Sequence, residues 1–210
     1  MNKLKHIGLV LPSVPGYSET FFLNKIKGLL KNGFKVSLFV ENRKSNGIPE
    51  YIRVYYQPEI NKKFYLFISI IKTFTLHPIR CCKFLYLERT SFRSWINAIK
   101  NLIINSHIIG KSLDWLHFGF STNGIRRENL ALAMGAKSAV SFRGFNIGLY
   151  PHQHPGCYNL LWNNIDKVHT ISDDLYQKAI DLGLDPETPY KKITPAINAD
   201  FFNSNMDEDL

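Results

Sequence analysis

Apolar positions along this chain fall in short runs that alternate with helical stripes. His6 to Leu11 is an apolar run that stops at Pro12-Ser13-Val14-Pro15-Gly16, the pattern of a buried strand entering a loop. Ser18 stands where a helix N-cap belongs, with Glu19 in the first turn, where the helix dipole favours an anion. Phe22, Ile26, Leu29 and Leu30 recur at helical spacing until Asn32-Gly33 closes the helix. Val36, Leu38 and Val40 alternate through a strand spanning Phe34 to Val40, and Tyr51 to Tyr56 reads as a third strand.

The middle changes character. From Ile60 to Lys111 the pattern predicts two or three helices, broken near His77-Pro78. Phe64, Phe67, Ile68 and Ile71 give one apolar face, and Trp95, Ile99, Leu102 and Ile103 give another. Strands return at Leu113 to Phe118, Lys137 to Phe142, Val168 to Ile171 and Lys192 to Ile197. Helices are expected between them at Asn123 to Met134, closed by Gly135, at Tyr158 to Asn164, and from a Ser172 cap through Asp181. Alternating strands and helices predict a doubly wound, mainly parallel, Rossmann-like α/β sheet. Helices cover both faces, and a helical insertion lies at about 60–111. One domain over 1–205 is expected.

Composition narrows the classes. At 210 residues with 45% apolar and 20% charged positions, the chain has enough material for a real core. The first apolar run is too short for a secretory signal, and Phe64 to Leu76 falls short of a bilayer span. The three cysteines include adjacent Cys81 and Cys82 and form no C-x-x-C, so a reducing, cytoplasmic setting fits better than a disulfide framework. The net charge of +9 raises nucleic-acid binding, but no helix-turn-helix, zinc-finger or RNA-binding pattern accompanies it.

In such a sheet, ligands sit beyond the carboxyl ends of the strands. The loop after the first strand lacks the glycine fingerprint of dinucleotide folds, but the Gly16 backbone and the following amides suit an anion or sugar hydroxyls. Gly119 and Gly124 have P-loop spacing, yet Ile125-Arg126 stands where Lys and Ser/Thr are required. His117 reads equally as a site residue or as a satisfied interior histidine. Arg143, at a strand end beside Gly144, suits a phosphate or carboxylate held by both guanidinium arms. His152, His154 and Cys157 have no second ligand cluster in the sequence, so no metal is expected. No G-x-S-x-G nucleophile elbow exists.

The order of these strand-end residues resembles the N-terminal domain of the family 4 glycosyltransferases of GT-B type, which build bacterial polysaccharides. The resemblance is carried by Leu11-Pro12 through Tyr17-Ser18-Glu19-Thr20-Phe21, Leu113 to Gly119, Ser141-Phe142-Arg143-Gly144-Phe145-Asn146, Asp166 to Leu175, and Lys192 to Asn198 with Phe201-Phe202. It implies retaining transfer of a sugar from a nucleotide-sugar donor to a polysaccharide or lipid-linked glycan acceptor. This domain would bind mainly the acceptor, through Gly16, Tyr17, Ser18, Glu19, Thr20, His117, Arg143, Gly144 and Asn146. Many relatives carry His-Gly where this chain has Arg143-Gly144, and Asp where it has Asn146. Arginine cannot serve as an acid or base near neutral pH, so a holding role is expected of Arg143, and no catalytic residue is assigned. The family's second, nucleotide-binding domain, with its pair of glutamates, has no counterpart here, so the isolated chain is expected to be inactive. No cofactor is implied. A non-catalytic sugar- or anion-binding module is the alternative.

The charge excess is local. Residues 60–111 hold nine Lys and Arg against one acid, Glu88, whereas residues 112–210 hold eight against twelve. Basic residues beside aromatic and aliphatic ones on helices are what contact with an anionic membrane surface requires, and they predict a peripheral position at the inner face of the cell membrane. Helices packed on the sheet with solvated lysines outside account for the same pattern.

Overall fold

Alternating apolar residues set the strands and in-register parallel pairing stacks them. A computed structural model describes residues 4–15, 20–42, 52–59 and 63–194. Strand β1 (His6–Leu11) leads to helix α1 (Thr20–Lys31), then β2 (Lys35–Val40) and β3 (Arg53–Tyr56). The insertion follows as α2 (Lys63–Leu76), α3 (Pro78–Thr90), α4 (Trp95–Ile104) and α5 (Ser106–Ile109). Next come β4 (Trp115–Phe118), α6 (Leu130–Met134), β5 (Lys137–Ser141), α7 (Tyr150–Gln153) and α8 (Asn159–Asn163). The last elements are β6 (Lys167–Thr170), α9 (Asp173–Asp181) and β7 (Tyr190–Lys192).

The seven strands form one sheet in the order β3-β2-β1-β4-β5-β6-β7, and every pairing is parallel. This is the doubly wound, Rossmann-like architecture expected from the sequence. Parallel strands need crossovers, and the helices that supply them cover the sheet. On one face, Val10, Leu116, Phe118, Val140 and Val168 pack with residues of α3, α5, α6, α8 and α9. On the other, Leu9, Leu11, Val36, Leu38 and Val40 pack against Phe22 and Ile26 of α1.

Local signals explain the element ends. Pro78 opens α3 at a first-turn position, where its missing N–H costs nothing, so the break at His77-Pro78 falls where it was expected. Ser172 caps α9, its hydroxyl accepting from the Leu175 amide at 3.3 Å. Gly135 closes α6 with a left-handed φ of 72°. The expected Ser18 cap lies outside the described residues.

Among the described residues the insertion holds four helices rather than two or three, and, beyond shifts of a residue or two elsewhere, three elements differ from expectation. Asn123 to Met134 is not one helix: a 3-10 turn over Ser121–Gly124 precedes the five-residue α6. Arg126 takes a φ of 68°, which no right-handed helix can contain, and this turn drives Arg127 inward. There, buried Arg127 donates to Glu41, Gln57, Asn105 and the Asn123 carbonyl. The fifth strand stops at Ser141, one residue short of Phe142. The last strand runs over Tyr190–Lys192, ahead of the predicted Lys192 to Ile197, because Val168 of β6 pairs with Tyr190; residues 195–197 lie outside the described set.

A buried carboxylate holds the insertion to the sheet layers. Glu88 of α3 is 0% exposed. It accepts from Arg93 at 2.8 and 2.9 Å, from Asn101 of α4 at 2.6 Å and from Asn129 at 2.9 Å. Arg93 donates in turn to Glu128 at 2.8 Å. Removing one member strands the rest without water. Glu88→Ala is therefore expected to cost about 3–5 kcal/mol, measured by urea unfolding followed by circular dichroism, with the helical signal lost at lower urea.

Candidate functional site

Because in-register pairing puts paired residues on the same face, Leu9 pairs with His117, His117 with Ala139, and Ser141 with His169. The α1-side face over β4, β5 and β6 therefore carries Trp115, His117, Ala139, Ser141, Lys167 and His169, and these residues line a cavity of about 670 Å³. Phe21 and Lys25 of α1 form its opposite wall, and Arg143 stands just past the end of β5.

At the carboxyl-end wall four side chains are chained together. Lys25 Nζ lies 3.0 Å from His117 Nε2, and the same nitrogen lies 2.8 Å from Ser141 Oγ. Ser141 Oγ lies 2.8 Å from His169 Nδ1, and His169 Nε2 lies 3.1 Å from the Ile193 carbonyl. That carbonyl can only accept, so His169 carries its proton on Nε2 and its Nδ1 accepts from the Ser141 hydroxyl. Ser141 has no second hydrogen to give, so the neutral His117 Nε2 either donates to the serine oxygen or accepts from the Lys25 ammonium, and the two bonds exclude each other.

Burial sets the charge states. It pushes His169 down to about 4, helped by the positive charges of Lys25 and Arg143. It holds His117 well below the usual histidine range, with Lys25 and then His169 adding to the effect. Burial, and secondarily Arg143, lowers Lys25 to about 8. Both imidazoles are thus neutral at pH 7, while Lys25 stays largely charged. The guanidinium carbon of Arg143 sits 3.6 Å from the Phe21 ring centroid, a cation–π contact that holds it at the cavity wall. Lys5, Lys25, Arg143, Lys167 and Lys191 all line the cavity, and no Asp or Glu does so among the described residues. Such a wall suits an anion, and the neutral histidines and Ser141 suit hydroxyls that both give and take hydrogen bonds.

The residues expected from the sequence divide into groups. His117 and Arg143 meet in this cavity. Gly16, Tyr17, Ser18 and Glu19 lie outside the described residues, and Thr20 is described only as the first residue of α1. Gly144 is exposed, and a Cβ there would meet nothing within 4 Å. Asn146 is buried and turned the other way, donating to Thr122 Oγ1 at 3.2 Å while its carbonyl accepts from Tyr158. It ties the loop after β5 to the loop after β4. Lys25, Ser141 and His169 were not expected: each reads as an ordinary polar position, and only strand register and the placement of α1 unite them. The phase of the strands was the available signal, since Ser141 and His169 share the parity of Arg143 and Lys167. Among the described residues, no group of three or more His, Cys, Asp and Glu side chains is placed to hold a metal ion. His154 of the H-x-H-x-x-C segment instead packs its ring on Tyr150 at 4.4 Å.

The fold is the Rossmann-like α/β fold seen in GT-B glycosyltransferase structures. One similar structure is a lipopolysaccharide outer core galactosyltransferase, WaaB, in its apo form. It has a TM-score of 0.51 and 13% identity, over 92% of this chain and 46% of that one. Another is HepE from Anabaena in complex with UDP and glucose, with a TM-score of 0.54 and 12% identity, over 95% of this chain and 46% of that one. The chain thus spans about half the length of these structures, and at such identities the likeness is one of fold. No protein-family model and no curated protein matches the sequence.

The neutral histidines give a pH signature. An imidazole whose folded pKa lies below its unfolded value makes the unfolded chain bind more protons, so stability falls as pH drops through that window. For His169 the window runs from the ordinary histidine value of 6.5 down to about 4. The thermal midpoint is expected to fall across this range, with a shallower fall in His169→Gln, as followed by circular dichroism from pH 7 to pH 4.

Proposed function

We propose that this chain is the acceptor-side domain of a retaining GT-B glycosyltransferase. The enzyme moves a sugar from a nucleotide-sugar donor to a polysaccharide or lipid-linked glycan of bacterial type, at the cytoplasmic face of the membrane. The observation that carries the reading is the meeting of His117 and Arg143 in one cation-lined cavity that reaches the carboxyl ends of the strands. The fold of WaaB and of UDP-bound HepE gives it further support. In this reading Arg143, held against Phe21, grips a phosphate or sugar hydroxyl of the acceptor, and His117 and His169 orient hydroxyls through Ser141.

The reading requires a second Rossmann-like domain for the nucleotide. Sugar transfer builds negative charge on the departing diphosphate, and fixed positive groups or dipoles must already be aimed at that position. Transfer by the 210 residues alone would lack them. A second reading, a non-catalytic sugar- or anion-binding module, is favoured by one observation: five cations line the cavity, with no carboxylate among the described residues.

The purified 210-residue chain is expected to transfer no sugar from UDP-glucose or UDP-galactose to a glycan panel; robust turnover would overturn the two-domain requirement. On a glycan array, bound glycans are expected to lose about tenfold in affinity with His117→Ala or Arg143→Ala, the worth of one hydrogen bond to a charged or buried polar group. Unchanged binding in both variants would overturn the cavity as the acceptor site. Transfer that appears only when a second nucleotide-binding domain is supplied separates the enzyme from the binding module.

A further inference from the structure

The corner between α3 and α4 is built against the usual rules. The helix α3 ends in a double hydrogen bond, with the Phe92 amide donating to the Arg89 carbonyl at 3.1 Å and the Arg93 amide to the Glu88 carbonyl at 3.2 Å. This termination demands a left-handed residue between them, a position that glycine normally fills. Here it is Phe92, with a φ of 61° and a side chain 100% exposed. A bulky residue in this conformation is strained, and burial returns nothing for it in the described chain. The strain is imposed from below, because Arg93 must turn inward to Glu88 and Glu128.

The residues around Phe92 continue the anomaly. Trp95 is 58% exposed and Ile96 66%, and exposed Ile99 follows one turn on. The inward side of the same helix holds Ala98 and Leu102 together with buried Asn101, which bonds Glu88. Ile104 is buried with them, so the helix turns Asn101 inward while Ile96 and Ile99 face out. Tyr86 is also exposed on α3. Charge complements this surface: Arg89 stacks on Trp95 with its guanidinium carbon 5.1 Å from the ring centroid, and Lys83 and Lys100 are exposed nearby in sequence. The insertion's lone acid, Glu88, is buried, so between residues 63 and 111 no carboxylate faces outward.

We propose that this corner, Phe92 with Trp95, Ile96 and Ile99, on two helices that also carry Arg89, Lys83 and Lys100 exposed, inserts into the interfacial layer of an anionic bilayer. Trp and Phe enter the boundary between headgroups and acyl chains, while the cations meet lipid phosphates. Among the described residues no helix is long and apolar enough to cross a membrane, so the contact is a surface one. The inference deepens the proposed function by fixing which part of the insertion meets the membrane. Vesicle binding and sugar transfer are separate measurements, so failure of one is distinguishable from failure of the other.

The test is co-sedimentation of the 210-residue chain with vesicles of phosphatidylglycerol and phosphatidylcholine, against phosphatidylcholine alone. Binding is expected only with the anionic lipid and should weaken with salt. Brominated lipids should quench a fluorescence component that is missing in Trp95→Phe. Phe92→Gly and Trp95→Ala are each expected to lower partitioning by about tenfold, the worth of burying one large side chain. Phe92→Gly should at the same time raise the melting midpoint, since glycine accepts the left-handed backbone. A structural role for Phe92 predicts the opposite change in stability. Failure to bind anionic vesicles, or wild-type binding by both variants, would overturn the proposal. So would self-association without lipid that Phe92→Gly abolishes, because a second copy would then be the occupant.

Discussion

In-register parallel pairing is the constraint on which the rest of this structure depends. Each strand sends alternate side chains to opposite faces, and parallel neighbours in register keep that parity from strand to strand. A single choice of phase in β1 therefore decides, across β4, β5 and β6, which side chains join the thick helical layer and which face α1. Val10, Phe118, Val140 and Val168 take the first course, and His117, Ser141 and His169 take the second. A slip of one residue in any of these strands would bury the histidines in the apolar layer and expose the valines. The polar column is held in place by the apolar one.

The insertion obeys a different rule. Beside the apolar packing of Cys81, Phe84, Leu102 and Ile108, its attachment is polar: Glu88, Asn101, Asn105, Arg127 and Asn129 are all nearly or fully buried and bonded to one another or to their neighbours. Buried ion pairs of this kind add little stability over an apolar filling, but they tolerate few alternative arrangements. Their geometry fixes the turn after α3 and the broken segment before α6. With Asn101 turned inward beside Ala98, Leu102 and Ile104, Trp95, Ile96 and Ile99 of α4 are left on the outer side. The inward-facing Asn101 and the left-handed Phe92 both accompany one buried carboxylate, Glu88.

Sequence pattern was a good guide wherever the governing interaction is local. His77-Pro78 separates two helices because proline cannot continue the first one, and Ser172 caps α9 because its hydroxyl reaches the Leu175 amide. The first six strands were legible because each one alternates or runs apolar over four to six residues; the three-residue, exposed Tyr190–Lys192 carries no such pattern and was expected further on. The pattern misled where a distant partner overrode it. Asn123 to Met134 has the composition of a helix, but buried Arg127 is drawn toward Glu41 and Gln57, far away along the chain, and the helix breaks to let it go. At the site, His117 and Arg143 stood out for being at strand ends. Lys25 did not, because it lies on a helix face and meets His117 only across 92 positions of sequence.

The sequence alone thus determined the class of fold, the location of the helical insertion and the concentration of positive charge within it. These follow from periodicity, capping and composition, which act over a few residues. Tertiary structure decided which polar residues share one cavity, that Asn146 is buried away from that cavity, and that Ile96 and Ile99 of α4 face out while Ile104 is buried. Each of these depends on register between strands or on a hydrogen bond between remote residues. Such choices are made by packing, where one buried partner outweighs the preference of the local chain.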